Sequence, residues 1–402
     1  MNILFVTWDG PQVSYLEGLF LPIFKMLKSS GIHVHVLQFT WGEQEKIERS
    51  RIACETAGCS YEMVSVIRKP VAVGSLLSAV IGYRHIRRVI KQKKIDVVMP
   101  RSTLPALSSL LALRGRNEHL IFDADGLPLD ERVDFAGQSP VSAIYRILRD
   151  IEAQAVRRAD IVLTRSKKAA DILLARAGAG TQNNKFHTVT NGRDTNIFSP
   201  GTAESRSNMR ENLGIAQNVP LLVYAGSIGP QYCLAEMLRL FELVHEQRPD
   251  SHLIILTGSP ETLQQTLQTK PKLLEKIIVK SVTANTVPAY LACADLGLAF
   301  RRQAFSMQGV APIKLGEYLL CGLPLVATQG IGDTHNIDSA AGFMVNKMDE
   351  SELQSVVHWF LNQVLPNREA LRNHCRTKGV THFSLETSAA SYQHALNSII
   401  QK

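Results

Sequence analysis

The sequence predicts an α/β protein of two doubly wound parallel-sheet domains, and three features carry that prediction. Short apolar runs alternate with helical stretches through the first half. A turn cluster at Ser199-Pro200-Gly201-Thr202 breaks the pattern, and the same alternation then resumes. At 402 residues the chain has the length of two domains, enough to bury sizeable cores without disulfide staples.

Taken in order, residues 2–7 (NILFVT) read as a buried strand, followed by a helical stretch over residues 16–29 that Gly31 stops. Residues 33–39, 95–99 and 120–123 are further strands, the last two separated by an apolar helix at 106–113. A long helical stretch, 141–158, precedes strands at 161–164 and 187–190. After the turn cluster comes a polar stretch without strand character. Strands then follow at 221–224, 253–257, 276–279, 296–299, 325–327 and 343–345, with helices at 235–246 and 287–292 between them and a final helix at 385–401. The domains are accordingly placed at residues 1–200 and 201–384, with 385–402 as a closing helix.

Composition narrows the partners. The net charge of +8 lies wholly in residues 1–200, which hold 27 Lys and Arg against 19 Asp and Glu; residues 201–402 hold 17 of each. Such an excess attracts nucleic acid, anionic lipid or an anionic substrate. No nucleic-acid module or aromatic–basic interleaving is present, so nucleic acid is not expected. The six cysteines include no CxxC pair and lie in apolar surroundings, which points to a reducing compartment without disulfides or zinc. The N-terminus lacks the basic region of a signal peptide, and no apolar run is long enough to span a membrane.

Ligands of open parallel sheets bind beyond the carboxyl ends of the strands. This places candidate groups in the loops at Trp8-Asp9-Gly10, Arg101-Ser102, 123–130, 226–229, Gly258-Ser259 and 300–309. The most informative stretch is 311–328, APIKLGEYLLCGLPLVAT. Pro312 suits a helix start, and Lys314 and Glu317, three apart, share one face near that N-terminus. A helix N-terminus attracts phosphate; a lysine there adds a point charge, and a carboxylate accepts hydrogen bonds from a ribose diol. The same pair also reads as an ordinary solvated ion pair of little consequence.

The stretch resembles the nucleotide-sugar signature of GT4-like retaining glycosyltransferases, P-x-K-x-x-E-Y followed by a small residue, Gly, and a Pro-Val-Val strand. It matches through Pro312, Lys314, Glu317, Tyr318, Gly322, Pro324 and Val326. Asn191-Gly192-x-Asp194-x-x-x-Phe198 resembles the family's entry into its second domain. The resemblance implies a GT-B fold of two Rossmann-like domains facing each other across a cleft, with the last helix packing back on the N-terminal domain. It also implies that Lys314 holds the donor diphosphate and Glu317 the ribose. Two departures stand out. The first glutamate of the family's E-x7-E spacing falls at Gly309, which leaves the backbone of Gln308, Gly309 and Val310 for the sugar. The family's Arg and Lys after the first strand of the second domain are replaced by Gly226, Ser227 and Gly229, so Arg301 or Arg302 is the source of positive charge. Gly258 completes the donor set, and Lys314 and Arg302 join Asp125 as the catalytic candidates.

In the first half, FDADGLPLDERV (122–133) resembles the segment F-D-x-R-G-x-x-x-(D/E)-E-R-V of some family members, with Asp125 in place of the arginine. Asp125 beside Gly126 reads either as a group that orients or deprotonates an acceptor hydroxyl or as a turn aspartate bonded to local backbone. Asp9, Gly10, Arg101 and Asp123 are the acceptor-side candidates. No metal or other cofactor is expected. Residues 76–94 (LLSAVIGYRHIRRVIKQKK) form an amphipathic helix, apolar first and basic later, that can rest on an anionic leaflet or pack as an ordinary surface helix.

These features imply a cytoplasmic bacterial enzyme, peripheral at the inner membrane. It would move a hexosyl group from a UDP- or GDP-linked sugar to a polyprenyl-diphosphate-linked or oligosaccharide acceptor in exopolysaccharide, capsule or O-antigen synthesis. Two alternatives keep the fold: a sugar-nucleotide epimerase working through His187 and His335, or a non-catalytic subunit that binds a partner.

Overall fold

The computed structural model describes residues 1–11, 15–268 and 271–400. The chain divides into two compact units. The first is Met1–Thr190 with Gln308–Ala311 and the C-terminal helix; the second is Asn191–Met307 with Pro312–Ser384.

The first unit is a seven-stranded parallel sheet of order β3-β2-β1-β4-β5-β6-β7. Its strands are β1 (Asn2–Asp9), β2 (His33–Thr40), β3 (Ser60–Ser65), β4 (Val97–Pro100), β5 (His119–Asp123), β6 (Ile161–Thr164) and β7 (Phe186–Thr188). Between them run α1 (Leu21–Lys28), α2 (Gln44–Thr56), α3 (Val71–Lys93), α4 (Thr103–Ala112), α5 (Pro128–Phe135), α6 (Ala143–Arg158) and α7 (Lys167–Ala177). β1 is buried on both faces, as a central parallel strand must be, and this is why NILFVT reads as an unbroken apolar run. Strand order reverses between β1 and β4, so the loops after these two strands open at the switch point where ligands of such sheets sit.

The second unit holds a six-stranded parallel sheet of order β10-β9-β8-β11-β12-β13. These strands are β8 (Leu221–Ala225), β9 (His252–Leu256), β10 (Ile277–Lys280), β11 (Leu296–Ala299), β12 (Leu325–Thr328) and β13 (Gly342–Val345). Its helices are α8 (Ala203–Asn212), α9 (Leu234–Gln247), α10 (Pro260–Leu267), α11 (Pro271–Leu274), α12 (Val287–Cys293), α13 (Ile313–Leu320), α14 (Glu350–Trp359) and α15 (Arg368–Phe383). The switch point here lies between β8 and β11, which puts residues 226–229 and Arg301 at equivalent places to the first unit's ligand loops. The last helix, α16 (Leu385–Ile400), belongs to the first unit: it packs on α1 and β6, and Ser388 Oγ donates to the Thr190 carbonyl at 2.6 Å. The expected end of this helix, Gln401, lies outside the described residues.

The boundary falls at Thr190, nine residues before the turn cluster begins at Ser199. The physical reason is that residues 191–198 bond into the second unit. The Arg193 amide donates to the Phe383 carbonyl at 2.9 Å, Arg376 holds the Phe198 and Thr195 carbonyls, and Phe198 is buried in the core beside Leu319 and Phe383. Thr202 of the turn cluster caps α8 through a capping box with Ser205. The polar stretch after it is helical because its arginines have a buried counter-charge. Arg206 and Arg210 of α8 and Arg368 of α15 converge on Asp295, whose carboxylate also accepts the Leu221 amide of β8. Asp295 thus fastens two helices to the sheet, which no apolar periodicity in α8 announces.

Candidate functional site

In the second unit the site grows from the end of β8. Tyr224, fully buried, donates its hydroxyl to the Ser227 carbonyl and so shapes the loop 226–229. Gly226 has φ +147°, and a Cβ there would lie 3.0 Å from Lys314 Nζ and 3.3 Å from Tyr224 Oη. The glycine therefore allows Lys314 to lie close under the loop. Lys314 enters from α13. Its Nζ sits 4.0 Å from the centre of the Tyr224 ring and 5.2 Å from that of Tyr232, and it has no hydrogen-bond partner although the residue is only 8% exposed. Burial first, and then the neighbouring Arg301, push the lysine well below its usual pKa; Glu317 pulls the other way. Aromatic faces partly offset an ammonium charge but donate no lone pair, so the site lacks an acceptor for three N–H groups.

Of the two candidate arginines, Arg301 lies beside Lys314: its guanidinium covers the Tyr232 ring at 4.3 Å and its Nε is buried without a partner. Arg302 points elsewhere, toward the Pro230 carbonyl and Glu236, and is exposed. Glu317 accepts both Nε and Nη2 of Arg193 on a single oxygen, Oε1, at 2.9 and 2.7 Å. The other signature residue, Tyr318, is a strut: its hydroxyl accepts the Ala225 amide of β8 and donates to the Leu298 carbonyl of β11. Ser227 and Gly258 are exposed on the loops after β8 and β9, and Gly229 is extended backbone ahead of Pro230.

Gln308, Gly309 and Val310 cluster with the first unit instead. Ser166 donates to the Gln308 carbonyl at 2.6 Å, and Gly309 backs onto Gly126 and Leu127. A Cβ at 309 would lie 2.8 Å from Leu127 Cγ and 3.0 Å from its amide nitrogen. The glutamate that the family spacing leads one to expect at this position has no room here, so the departure is built into the packing.

The first unit carries a cavity of 590 Å³ over the ends of β1 and β4. Arg101 and Asp125 meet there at 2.6 Å. Both loops are strained: Asp125 has φ +54° and Ser102 φ +70°, conformations that cost about 1–3 kcal/mol each and concentrate at ligand sites. Asp123 holds the turn together. It is fully buried, its Oδ1 accepts the Asp125 amide at 3.2 Å, and its Oδ2 accepts Arg165 at 2.9 Å. Burial would lower the Arg165 guanidinium, but Asp123, then Tyr392 of α16 and Asp125, hold it above its usual value. Burial pushes the Asp125 carboxyl up; Arg101 pulls against it, and the like charge of Asp123 adds to the rise. The Arg101 guanidinium lies over the rings of Tyr15 and Phe20, at 5.1 and 5.2 Å.

Asp9 is not among the groups lining the cavity. It is 2% exposed and accepts Thr7 and Gln38, whose amide oxygen in turn accepts the Tyr61 hydroxyl. Its neighbours Trp8 and Gly10 do line the cavity, with Trp41, Arg68, Thr103 and Arg132, none of which the loop positions alone single out except Trp8 and Gly10. Trp41 and Arg68 form one unit, the guanidinium stacked 4.2 Å from the indole. His187 rests against the ring of His394, and His335 is exposed. Among the described residues no group of three His, Cys, Asp or Glu is placed to hold a metal ion, and no helix is long and apolar enough to cross a membrane. A larger hollow of 1020 Å³ opens against β13 and α14, but His358 is its sole titratable group and it lies in neither set of ligand loops.

Comparison with known proteins bears on the family and the fold. Residues 23–197 match the family model described as Glycosyltransferase Family 4, and residues 219–363 match that described as Glycosyl transferases group 1. The "Putative teichuronic acid biosynthesis glycosyltransferase TuaH" of Bacillus subtilis is 26% identical over 75% of this chain and 81% of that protein. A GDP-mannose-dependent monoacylated alpha-(1-6)-phosphatidylinositol monomannoside mannosyltransferase of Corynebacterium glutamicum is 24% identical over 54% of this chain and 56% of its own. Among solved structures, Anabaena Alr3699/HepE in complex with UDP superposes with a TM-score of 0.75 at 15% identity, covering 99% of this chain and 100% of that one.

Proposed function

We propose that this chain, which belongs to the GT4-like glycosyltransferases of the GT-B fold, moves a hexosyl group from a UDP- or GDP-linked sugar to a lipid-linked or saccharide acceptor with retention of anomeric configuration. One observation carries the reading: the buried Lys314 ammonium has no hydrogen-bond partner, and Arg301 stands beside it with an unpartnered Nε. A nucleoside diphosphate supplies the missing acceptors. On this reading Lys314 and Arg301 bind the diphosphate and stabilise the charge that develops on it as the glycosidic bond breaks. Glu317 holds the ribose with Oε2, its other oxygen being fixed by Arg193. Retention follows if the departing phosphate takes the acceptor proton on the same face of the sugar, which leaves the protein the tasks of positioning and charge stabilisation.

The first unit takes the acceptor. Asp125, in a strained turn and held by Arg101, orients the acceptor hydroxyl at the cavity. The outward face of α3 supports work at a membrane surface: Val73, Leu77, Val80 and Ile81 are exposed in its first turns, and Arg84, Arg88 and Lys91 continue the same face. Such a face suits the anionic cytoplasmic leaflet. An enzyme placed there serves the building of exopolysaccharide, capsule or O-antigen.

A thermal-shift screen across UDP-, GDP- and dTDP-sugars tests the reading, because a ligand bound by the native state alone raises apparent stability. One nucleotide series is expected to stabilise the protein. Asp125→Asn is expected to keep that shift while losing transfer. Absence of a shift with every nucleotide would overturn the assignment.

A further inference from the structure

The cations of the second unit's site are held on aromatic rings. Neither Lys314 Nζ nor Arg301 Nε has a hydrogen-bond partner, yet both lie over the ring of Tyr232, the guanidinium carbon 4.3 Å and the ammonium 5.2 Å from its centre. A ring face attracts a cation without neutralising it, and a stacked guanidinium keeps its N–H donors free at its edge. A carboxylate in the place of the ring would discharge both cations. Like charges also repel, and Arg301 is one of the groups that push the lysine down, so the two stay together only where the fold fixes what holds them.

The fold does fix the ring. Tyr232 ends the short turn Pro230–Tyr232, and its amide bonds back to the Gly229 carbonyl at 3.0 Å. Residue 302 clamps this turn: its amide donates to the Gln231 carbonyl at 3.0 Å, and Arg302 Nε donates to the Pro230 carbonyl at 3.2 Å. The next residue, Cys233, takes φ +52°, a strained conformation outside glycine, and buries its side chain in the core with Met237. Tyr232, half-buried, is left at the site. The backbone of Arg301 is fixed as well, because Thr328 Oγ1 accepts its amide and donates to its carbonyl, each at 2.8 Å. Only the arginine side chain remains to be placed.

We propose that Tyr232 is a positioning residue of the diphosphate site: its ring keeps the Arg301 guanidinium beside Lys314, so that both cations meet one diphosphate already in place. Arg302, which is exposed, acts on the site through the turn it clamps. The inference rests on reading Lys314 and Arg301 as the diphosphate site and adds the residue that keeps them assembled. Losing the ring leaves one long side chain to be immobilised on binding, a loss of about two- to tenfold in affinity.

Calorimetric titration with inorganic diphosphate, UDP and GDP tests it, with Lys314→Met marking the binding that belongs to this site. Tyr232→Phe, which keeps the ring, is expected to bind within about twofold of the native chain. Tyr232→Leu and Tyr232→Gln, which lack it, are expected to bind about fivefold more weakly. Arg301→Ala separates positioning from packing: in that background Tyr232→Leu is expected to cost less than about twofold, because nothing is left for the ring to hold. Four results would overturn the inference: a Phe variant as weak as the ringless ones, ringless variants that bind like the native chain, an undiminished cost of Tyr232→Leu without Arg301, or binding that Lys314→Met leaves intact. Should neither ringless variant fold, Arg301→Lys is read instead, since it keeps the charge but not the flat face. A loss of about fivefold supports the stack, and binding within about twofold of the native chain sinks it. The probes also separate the inference from the proposed function. Inorganic diphosphate that needs the ring, with no response to UDP or GDP, leaves the inference standing and removes the nucleotide reading. Nucleotide binding indifferent to the ring removes only the inference, and a native chain that binds none of the three overturns both.

Discussion

Lys314 in the second unit and Arg165 in the first are both buried cations near the strand ends of their own sheets, and the fold treats them in opposite ways. Arg165 has a carboxylate, Asp123, at 2.9 Å, and that carboxylate also ties down the backbone of the turn carrying Asp125. Lys314 has two aromatic faces and no acceptor at all. A buried charge that is paired serves the protein's own architecture; one that is left unpaired costs stability until something else supplies the partner. The contrast separates a cation held by its counter-charge from one left without an acceptor.

The largest effect is expected at the paired cation. Asp123→Ala leaves Arg165 buried without its carboxylate and releases the turn, so we expect a loss of about 3–5 kcal/mol in urea denaturation. A loss below about 1 kcal/mol would mean that the pair is not structural. A smaller effect is expected from pH at the unpaired half. The lysine is pushed well below its usual value in the free protein; on the proposed function a bound diphosphate restores it. Nucleotide affinity is then flat while free Lys314 is charged and falls as pH rises through its depressed pKa, because binding must recruit a proton. Apo stability moves the other way: between that pKa and the unfolded value near 10.5 the unfolded chain holds the extra proton, so stability rises with pH. Calorimetry in buffers of different ionisation enthalpy checks the proton uptake. Arg193→Gln is the mildest change. It frees Glu317 Oε1 without removing the carboxylate, and a three- to tenfold weaker nucleotide affinity, about 1 kcal/mol, is expected.

The fold was largely legible from apolar runs, because parallel strands buried on both faces leave no alternation to misread; residues 161–164 and 296–299 are strands in full. Helix α8 was not, since its anchors are Arg206 and Arg210 on Asp295 and not an apolar stripe. The domain boundary was misplaced for a related reason: a conspicuous turn at 199–202 caps a helix inside the second unit, while the true change of unit at Thr190 carries no Pro or Gly cluster. In the site, Lys314 could be read from its spacing, whereas Tyr224, Tyr232 and the Trp41–Arg68 stack come from separate loops that only the folded sheet assembles. The exclusion of a side chain at 309 was equally invisible, because it depends on Leu127, far away in sequence.

Lys314, left without an acceptor, is proposed to hold the diphosphate of a nucleotide. Thermal unfolding of the native chain and of Lys314→Met, each with and without saturating UDP or GDP, tests it most directly. The substitution, which removes a buried unpaired charge at nearly constant volume, is expected to raise the melting temperature of the free protein by an amount worth about 1–3 kcal/mol. The same substitution is expected to abolish the nucleotide-induced shift. A variant that melts lower than the native chain when free, and is still stabilised by nucleotide as strongly, would contradict it.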